Sequence, residues 1–168
     1  MAGFCRIWMP SFGLIAKPLH KAMKGPDIEP IIWGKEDDQT FNKIKQALIK
    51  ALALGIPDLN KLFSLYVAEK QGMALAVLVQ WLGNETWPVA YFSKKLDNVA
   101  TGWSLCLRAV ATTAMLTKED AKLTLWHKLE VLTPCQLHRI LEMRVHLLLT
   151  GNRLTNIRPF SWTILKEL

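Results

Sequence analysis

The sequence predicts an α/β fold: a mixed sheet flanked by helices, with a helical segment ahead of it. The apolar residues keep a helical period to about residue 54 and switch to period two near residue 62. A helical pattern returns at 103–117, a strand pattern follows at 123–132, and a last helix is expected at 135–148. Three strands, a helix, a strand and a helix make a mixed layer architecture. The 168 residues are 51% hydrophobic and 21% charged, a balance that can bury a core and excludes a disordered chain.

Taken in order, residues 4–24 read as helix. Ile7, Phe12, Leu14, Ile15, Leu19 and Met23 are apolar, Pro10 stands near the start, and Gly25-Pro26 ends the run. Residues 25–34 are a Pro- and Gly-rich loop. A helix is expected over 36–53, because Glu36, Asp37 and Asp38 suit the positive end of a helix dipole. Phe41, Ile44, Leu48 and Leu52 give it one apolar face, and Gly55 and Pro57 stop it. Strands at 62–69, 73–81 and 87–93 form an antiparallel meander. Glu69-Lys70-Gln71-Gly72 is the first turn, and Gly83-Asn84 lies in the second connection. The helix at 103–117 is mostly apolar and is expected to be well buried. Lys122 to Thr133 reads as one long strand or a strand pair, and Pro134 suits the first turn of the last helix. The expected division is a helical segment and linker at 1–30, a main domain at 31–150 and a tail of unassigned pattern at 151–168.

The net charge of +7 is spread along the chain, the usual electrostatic footprint for a phosphate backbone. Cys5, Cys106 and Cys135 are an odd, scattered set, which argues against a disulfide framework and fits a reducing compartment. Arg6 and Pro10 interrupt any signal-peptide run, and the longest apolar stretch, Met73 to Val79, is too short to span a bilayer. An intracellular location, in cytoplasm or nucleus and without a membrane partner, is the expectation. Asn84-Glu85-Thr86 matches a glycosylation acceptor only by chance on that reading.

Several stretches are recognisable. Ala2-Gly3-Phe4-Cys5-Arg6 with Trp8, Pro10 and Phe12 resembles the end of the thumb in gammaretrovirus-type reverse transcriptases. Trp33-Gly34, Phe41 and Ile44-Lys45-Gln46-Ala47-Leu48 are similar to the helix that opens the connection region of that family. The similarity runs on through Ala53-Leu54-Gly55-Ile56-Pro57-Asp58-Leu59, Glu69-Lys70-Gln71-Gly72 and Leu116-Thr117-Lys118. Pro88-Val89-Ala90-Tyr91-Phe92-Ser93-Lys94-Lys95-Leu96-Asp97 is its most specific part. It fades after about residue 135, with an echo at Arg153-Leu154-Thr155. The resemblance implies a ribonuclease H-like fold lying between a polymerase domain and a true ribonuclease H domain. It implies that the polymerase carboxylates lie upstream and that this chain is a fragment or a surviving reading frame of a longer Pol.

An active ribonuclease H-like domain, on the same resemblance, carries an Asp on its first strand, a Glu on its long helix and an Asp at the end of its fourth strand. Two-metal phosphodiester hydrolysis needs such a carboxylate cluster around ions about 3.5–4 Å apart. Here Ala68 takes the first position; Glu69 is adjacent, but strand alternation turns it to the other face. Leu107 or Ala109 takes the second, and Pro134 the third. No nuclease activity is expected. Cys135 and His138 have a spacing that suits zinc, but a structural site wants four ligands, and His127 and His146 are scattered. Asp37 and Asp38 are read as a helix start rather than a metal site. No Gly-rich phosphate loop or Ser-His-Asp arrangement occurs, so no cofactor is expected.

Lys94, Lys95, Lys118 and Lys122 are the candidate nucleic-acid contacts, with Arg6, Lys17, Lys21 and Lys24 along the first helix as lesser ones. The expected partners are an RNA–DNA or DNA duplex, held weakly and without sequence preference, and the polymerase and ribonuclease H domains of a longer Pol. Trp81, Trp87 and Trp103 are read as core or interdomain packing rather than base-stacking platforms, and Trp8, Phe12 and Leu14 as apolar surface left open by an absent thumb. The main reading is a non-catalytic connection segment. The alternatives are one piece of an active reverse transcriptase and a host-adopted interaction protein.

Overall fold

The computed structural model describes residues 3–24, 30–133 and 154–159. The N-terminal segment is a 3-10 turn (Phe4–Trp8) and two short helices, α1 (Phe12–Ile15) and α2 (Lys17–Ala22), rather than one helix over 4–24. The break has a local cause. Met9 precedes Pro10, whose ring disfavours helical geometry in the residue before it. Met9 is accordingly extended, and Ser11 is left-handed at φ 56°. Met9, Phe12 and Ala16 bury themselves against Ile44 of α3 (Lys35–Ile49). The expectation of exposed apolar surface here is therefore corrected: Met9 and Phe12 are core, and Trp8 and Leu14 are partly covered.

In α3 the inward residues are Asp37, Thr40, Ile44 and Ala47, at helical spacing. Of the apolar face read from the sequence, Ile44 is buried, whereas Phe41, Leu48 and Leu52 remain exposed. Asp37 reaches back to the Gly34 amide at 2.9 Å, and Asp38 accepts the Trp33 indole N–H at 2.6 Å. Both carboxylates thus serve the helix start, as read. The helix ends at Ile49, four residues short of the expected end, because the following chain has better partners in the sheet. The Gly55 amide donates to the Pro88 carbonyl at 2.8 Å. Buried Gln80 accepts the Asp58 amide at 2.8 Å and donates to the Asp58 carbonyl at 2.7 Å.

The sheet follows: β1 (Phe63–Lys70), β2 (Met73–Leu82), β3 (Glu85–Lys95), β4 (Leu129–Thr133) and β5 (Leu154–Pro159), in the order β3-β2-β1-β4-β5. The first three are antiparallel, as the alternation predicts; β4 runs parallel to β1, and β5 parallel to β4. Gln71 and Gly72, both at positive φ (53° and 76°), make the two-residue β1–β2 turn. Between β3 and β4 lie a single turn, α4 (Asn98–Thr101), and the long α5 (Leu105–Thr124).

Register sorts the side chains onto two faces. Phe63, Leu65 and Val67 of β1, with Ala74, Ala76 and Leu78 of β2, meet Leu116, Ala111 and Met115 of α5. On the opposite face Tyr66, Val77, Val79 and Tyr91 pack with Leu54 and Leu132. The N-terminal segment docks on this second face, where the Gly13 amide donates to Ser93 Oγ at 2.8 Å. The expected helix at 103–117 runs on to Thr124, so residues 122–124 are its last turn and not strand. Leu125 and Trp126, left-handed at φ 47° and 64°, reverse the chain, and β4 is the shorter for it. β5 was not legible in the tail pattern. The helix expected at 135–148 lies outside the described residues.

Candidate nucleic-acid interface

Strand alternation decides where the candidate lysines go. Lys94 is register partner of Ala74 and faces α5; Lys95 is partner of Met73 and faces the other side. The two neighbours in sequence therefore diverge and cannot grip one phosphate together. Lys94 instead meets α5. Its Nζ donates to Glu119 Oε1 at 2.5 Å, while Lys122 Nζ donates to Glu119 Oε2 at 3.1 Å. Glu119 and Lys122 stand three apart on one helix face. The two ammonium groups, the Lys94 bond foremost, hold the Glu119 carboxyl below its ordinary pKa. Lys118 lies one turn before Lys122 on α5, exposed like Lys95.

A second carboxylate faces α5 nearer the helix start. Glu69 Oε1 accepts the Gly72 amide at 2.8 Å and Oε2 lies 3.6 Å from Arg108 Nε. Its side chain is only 7% exposed. The Arg108 Nε has no hydrogen bond and relies on this charge alone.

Ala68 and Leu107 stand apart in the same frame. Ala68, 1% exposed, shares its face with its register partner Leu75 and, beyond it, Ser93. That is the face the N-terminal segment covers, opposite α5. Leu107 is 49% exposed in the first turn of α5, and Ala109 is half-buried. Pro134 lies outside the described residues, as do Cys135, His138 and His146. Among the described residues no three His, Cys, Asp or Glu side chains gather as a metal site would require. No helix among them is long and apolar enough to cross a membrane. Burial raises the Tyr66 and Tyr91 phenols above their ordinary pKa, with the Glu130 charge adding to the effect at Tyr66. Both are neutral at physiological pH.

Trp81, Trp87 and Trp103 are 49%, 42% and 46% exposed, so the core reading of them is corrected. Sequence reasoning also missed Glu119 and the Glu69–Arg108 pair. The Glu119–Lys122 spacing was readable, but Lys94 lies 25 residues away and only the fold brings it in.

Comparison with known proteins agrees with this architecture. Residues 33–128 match the RNase H-like domain found in reverse transcriptase. The Pol polyprotein of feline endogenous virus ECE1 is 48% identical over 155 residues, 92% of this chain and 15% of that polyprotein. The Gag-Pol polyprotein of baboon endogenous virus (strain M7) is also 48% identical over 155 residues, 9% of its length. The chain thus spans a small part of the relatives it matches. Among solved structures, a foamy viral protease-reverse transcriptase in complex with double-stranded DNA superposes with a TM-score of 0.80 at 18% identity, over 95% of this chain and 30% of that one. The same enzyme with an RNA/DNA hybrid gives 0.77 at 18% identity, over 95% and 24%. With strand order, residue motifs and relatives in agreement, the chain belongs to the RNase H-like domain family of reverse transcriptases, as the connection region of a retroviral Pol.

Proposed function

We propose that this region has no catalytic chemistry of its own and serves as a structural link that contacts a primer–template duplex through backbone phosphates. The observation that carries the reading is Ala68. A side chain without oxygen, 1% exposed, stands where the family resemblance puts the first-strand Asp of two-metal hydrolysis. Leu107 and Pro134 supply no ligand at the other two positions. On this reading residues 1–30 end the thumb, and the connection domain, expected to close at 150, runs on to take in β5 at Leu154–Pro159, which pairs with β4 in its sheet.

Duplex contact is supported by the net charge of +7 and by exposed Lys95 and Lys118. It is supported too by fold neighbours whose structures hold double-stranded DNA or an RNA/DNA hybrid. Contacts to phosphates carry no sequence information and weaken steeply with salt. The half-exposed Trp33, Trp81, Trp87 and Trp103 suit packing against the polymerase and ribonuclease H domains of a longer Pol.

The test uses the purified chain with magnesium or manganese. It is expected neither to extend a primer nor to cleave an RNA–DNA hybrid, and to bind a labelled duplex with micromolar or weaker affinity that drops as salt rises. Metal-dependent cleavage that survives rigorous purification overturns the non-catalytic half. Absence of binding at low salt in a folded sample, or binding indifferent to salt, overturns the duplex half.

A further inference from the structure

The strongest unassigned feature is the cluster of Lys94, Lys118, Glu119 and Lys122 where the end of β3 meets the last turns of α5. Two lysines meet one carboxylate there, and Lys118 stands one turn before Lys122 on α5. Lys94 and Lys122 come from different elements and are 51% and 72% exposed, yet their ammonium groups converge on the two oxygens of Glu119. An oxyanion held between two ammonium donors is the arrangement that a phosphodiester would make with the same donors. We propose that Lys94 and Lys122 form a two-point site for a nucleic-acid backbone phosphate, which the Glu119 carboxylate occupies until a phosphate displaces it.

The inference rests on the duplex-contact reading above and names where that contact is made and what restrains it. Three features of the cluster favour displacement over a permanent ion pair. Both lysines are open to solvent, so their pairing with Glu119 is screened and readily exchanged. Each has a long flexible stem, so it can follow an incoming phosphate while Glu119 stays anchored on the helix. Lys118, on the same face of α5 one turn earlier, adds a third positive charge without an ion-pair partner among the described residues. With Glu119 in place the four side chains carry a formal +2; without it they carry +3. A backbone phosphate therefore competes with an internal anion, which keeps binding weak in isolation. A duplex offering phosphates to neighbouring contacts at the same time would win that competition.

The experiment compares the full chain with Glu119→Gln, which keeps the size of the side chain and removes its charge. A short labelled DNA duplex is titrated over a range of salt, with folding checked by circular dichroism. Glu119→Gln is expected to raise affinity several-fold at moderate salt and to steepen the salt dependence by one to two phosphate contacts, about 0.9 in log–log slope for each. Glu85→Gln, at the far end of β3, makes the same change in net charge and is expected to give only a small rise. In a Lys94→Ala/Lys122→Ala background, Glu119→Gln is expected to lose its effect. The proposal is overturned if Glu119→Gln behaves like Glu85→Gln, or if its gain persists without the two lysines; in both cases duplex binding by the unmodified chain leaves the functional reading intact. Absence of binding by the chain and by Glu119→Gln alike overturns both.

Discussion

The two ends of α5 each hold a carboxylate against basic side chains, and they differ in water. Near the helix start Glu69, 7% exposed, is fixed by the Gly72 amide and by Arg108, whose side chain is 27% exposed. Near the helix end Glu119, 22% exposed, is shared by two lysines that are mostly in solvent. The contacts at Glu119 are shorter, yet the pair at Glu69 matters more to the fold. Breaking a sheltered pair strands a charge that water reaches only in part, whereas an open pair exchanges its partner for water at little cost. Distance alone would have ranked the two sites the wrong way round.

The severest challenge to that comparison is a carboxylate with shelter and without Arg108 beside it. Ala68→Asp supplies it: the position is 1% exposed, on the sheet face opposite Arg108. The expected cost is roughly 3 kcal/mol or more, a fall of about 6–12 °C in melting midpoint for a chain of this size. No nuclease activity should accompany it, since Leu107 and Pro134 still supply no ligand. A melting midpoint within a degree or two of the unmodified chain would mean that the site is wetter than its burial implies.

Glu69→Ala comes next. It removes the acceptor for the Gly72 amide in the β1–β2 turn and leaves Arg108 Nε, already without a hydrogen bond, facing no charge. The expected loss is about 2 kcal/mol, less than for a fully enclosed pair because Arg108 is partly exposed. Chemical denaturation measures it, and Arg108→Met in the same background should recover part of the loss. A double variant no more stable than Glu69→Ala alone would contradict the stranded-charge account.

How much of this was legible in the sequence follows from the range of the forces involved. The β1–β2 hairpin is local: alternation and the Gln71-Gly72 turn placed it to within a residue or so. The break at Met9 is also local, and Pro10 marks it, although the apolar spacing of 4–24 continues across the proline. The end of α3 was out of reach, because it is set by Gln80 and Pro88, which pair with the chain at Asp58 and Gly55. At the candidate interface the charges were legible and their company was not. Lys94 and Lys95 were both candidate contacts, and alternation alone was enough to send them to opposite faces. Glu119 was the hidden partner, since its link to Lys94 joins a strand end to a helix end that only the β3–α5 connection brings together.

The smallest expected effect is also the sharpest test of the contrast. Glu119→Gln should cost less than about 1 kcal/mol at neutral pH, because the ion pairs it removes are solvent-screened. The sign of its pH dependence is fixed. Lys94 and Lys122 lower the carboxyl below the ordinary 4.5 in the folded chain, so Glu119 binds its proton less readily when folded than when unfolded. Its contribution to stability is therefore present above 4.5 and is lost as pH falls through the depressed folded value. The unmodified chain and Glu119→Gln should differ slightly at neutral pH and converge as the solution is acidified below the ordinary carboxylate range. Moderate salt should narrow the gap as well, since screening weakens the same pairs. Equilibrium denaturation of both proteins across that pH range measures the difference directly. A cost above 2 kcal/mol that persists in high salt would make Glu119 a structural anchor like Glu69, and the distinction between the two ends of α5 would fall.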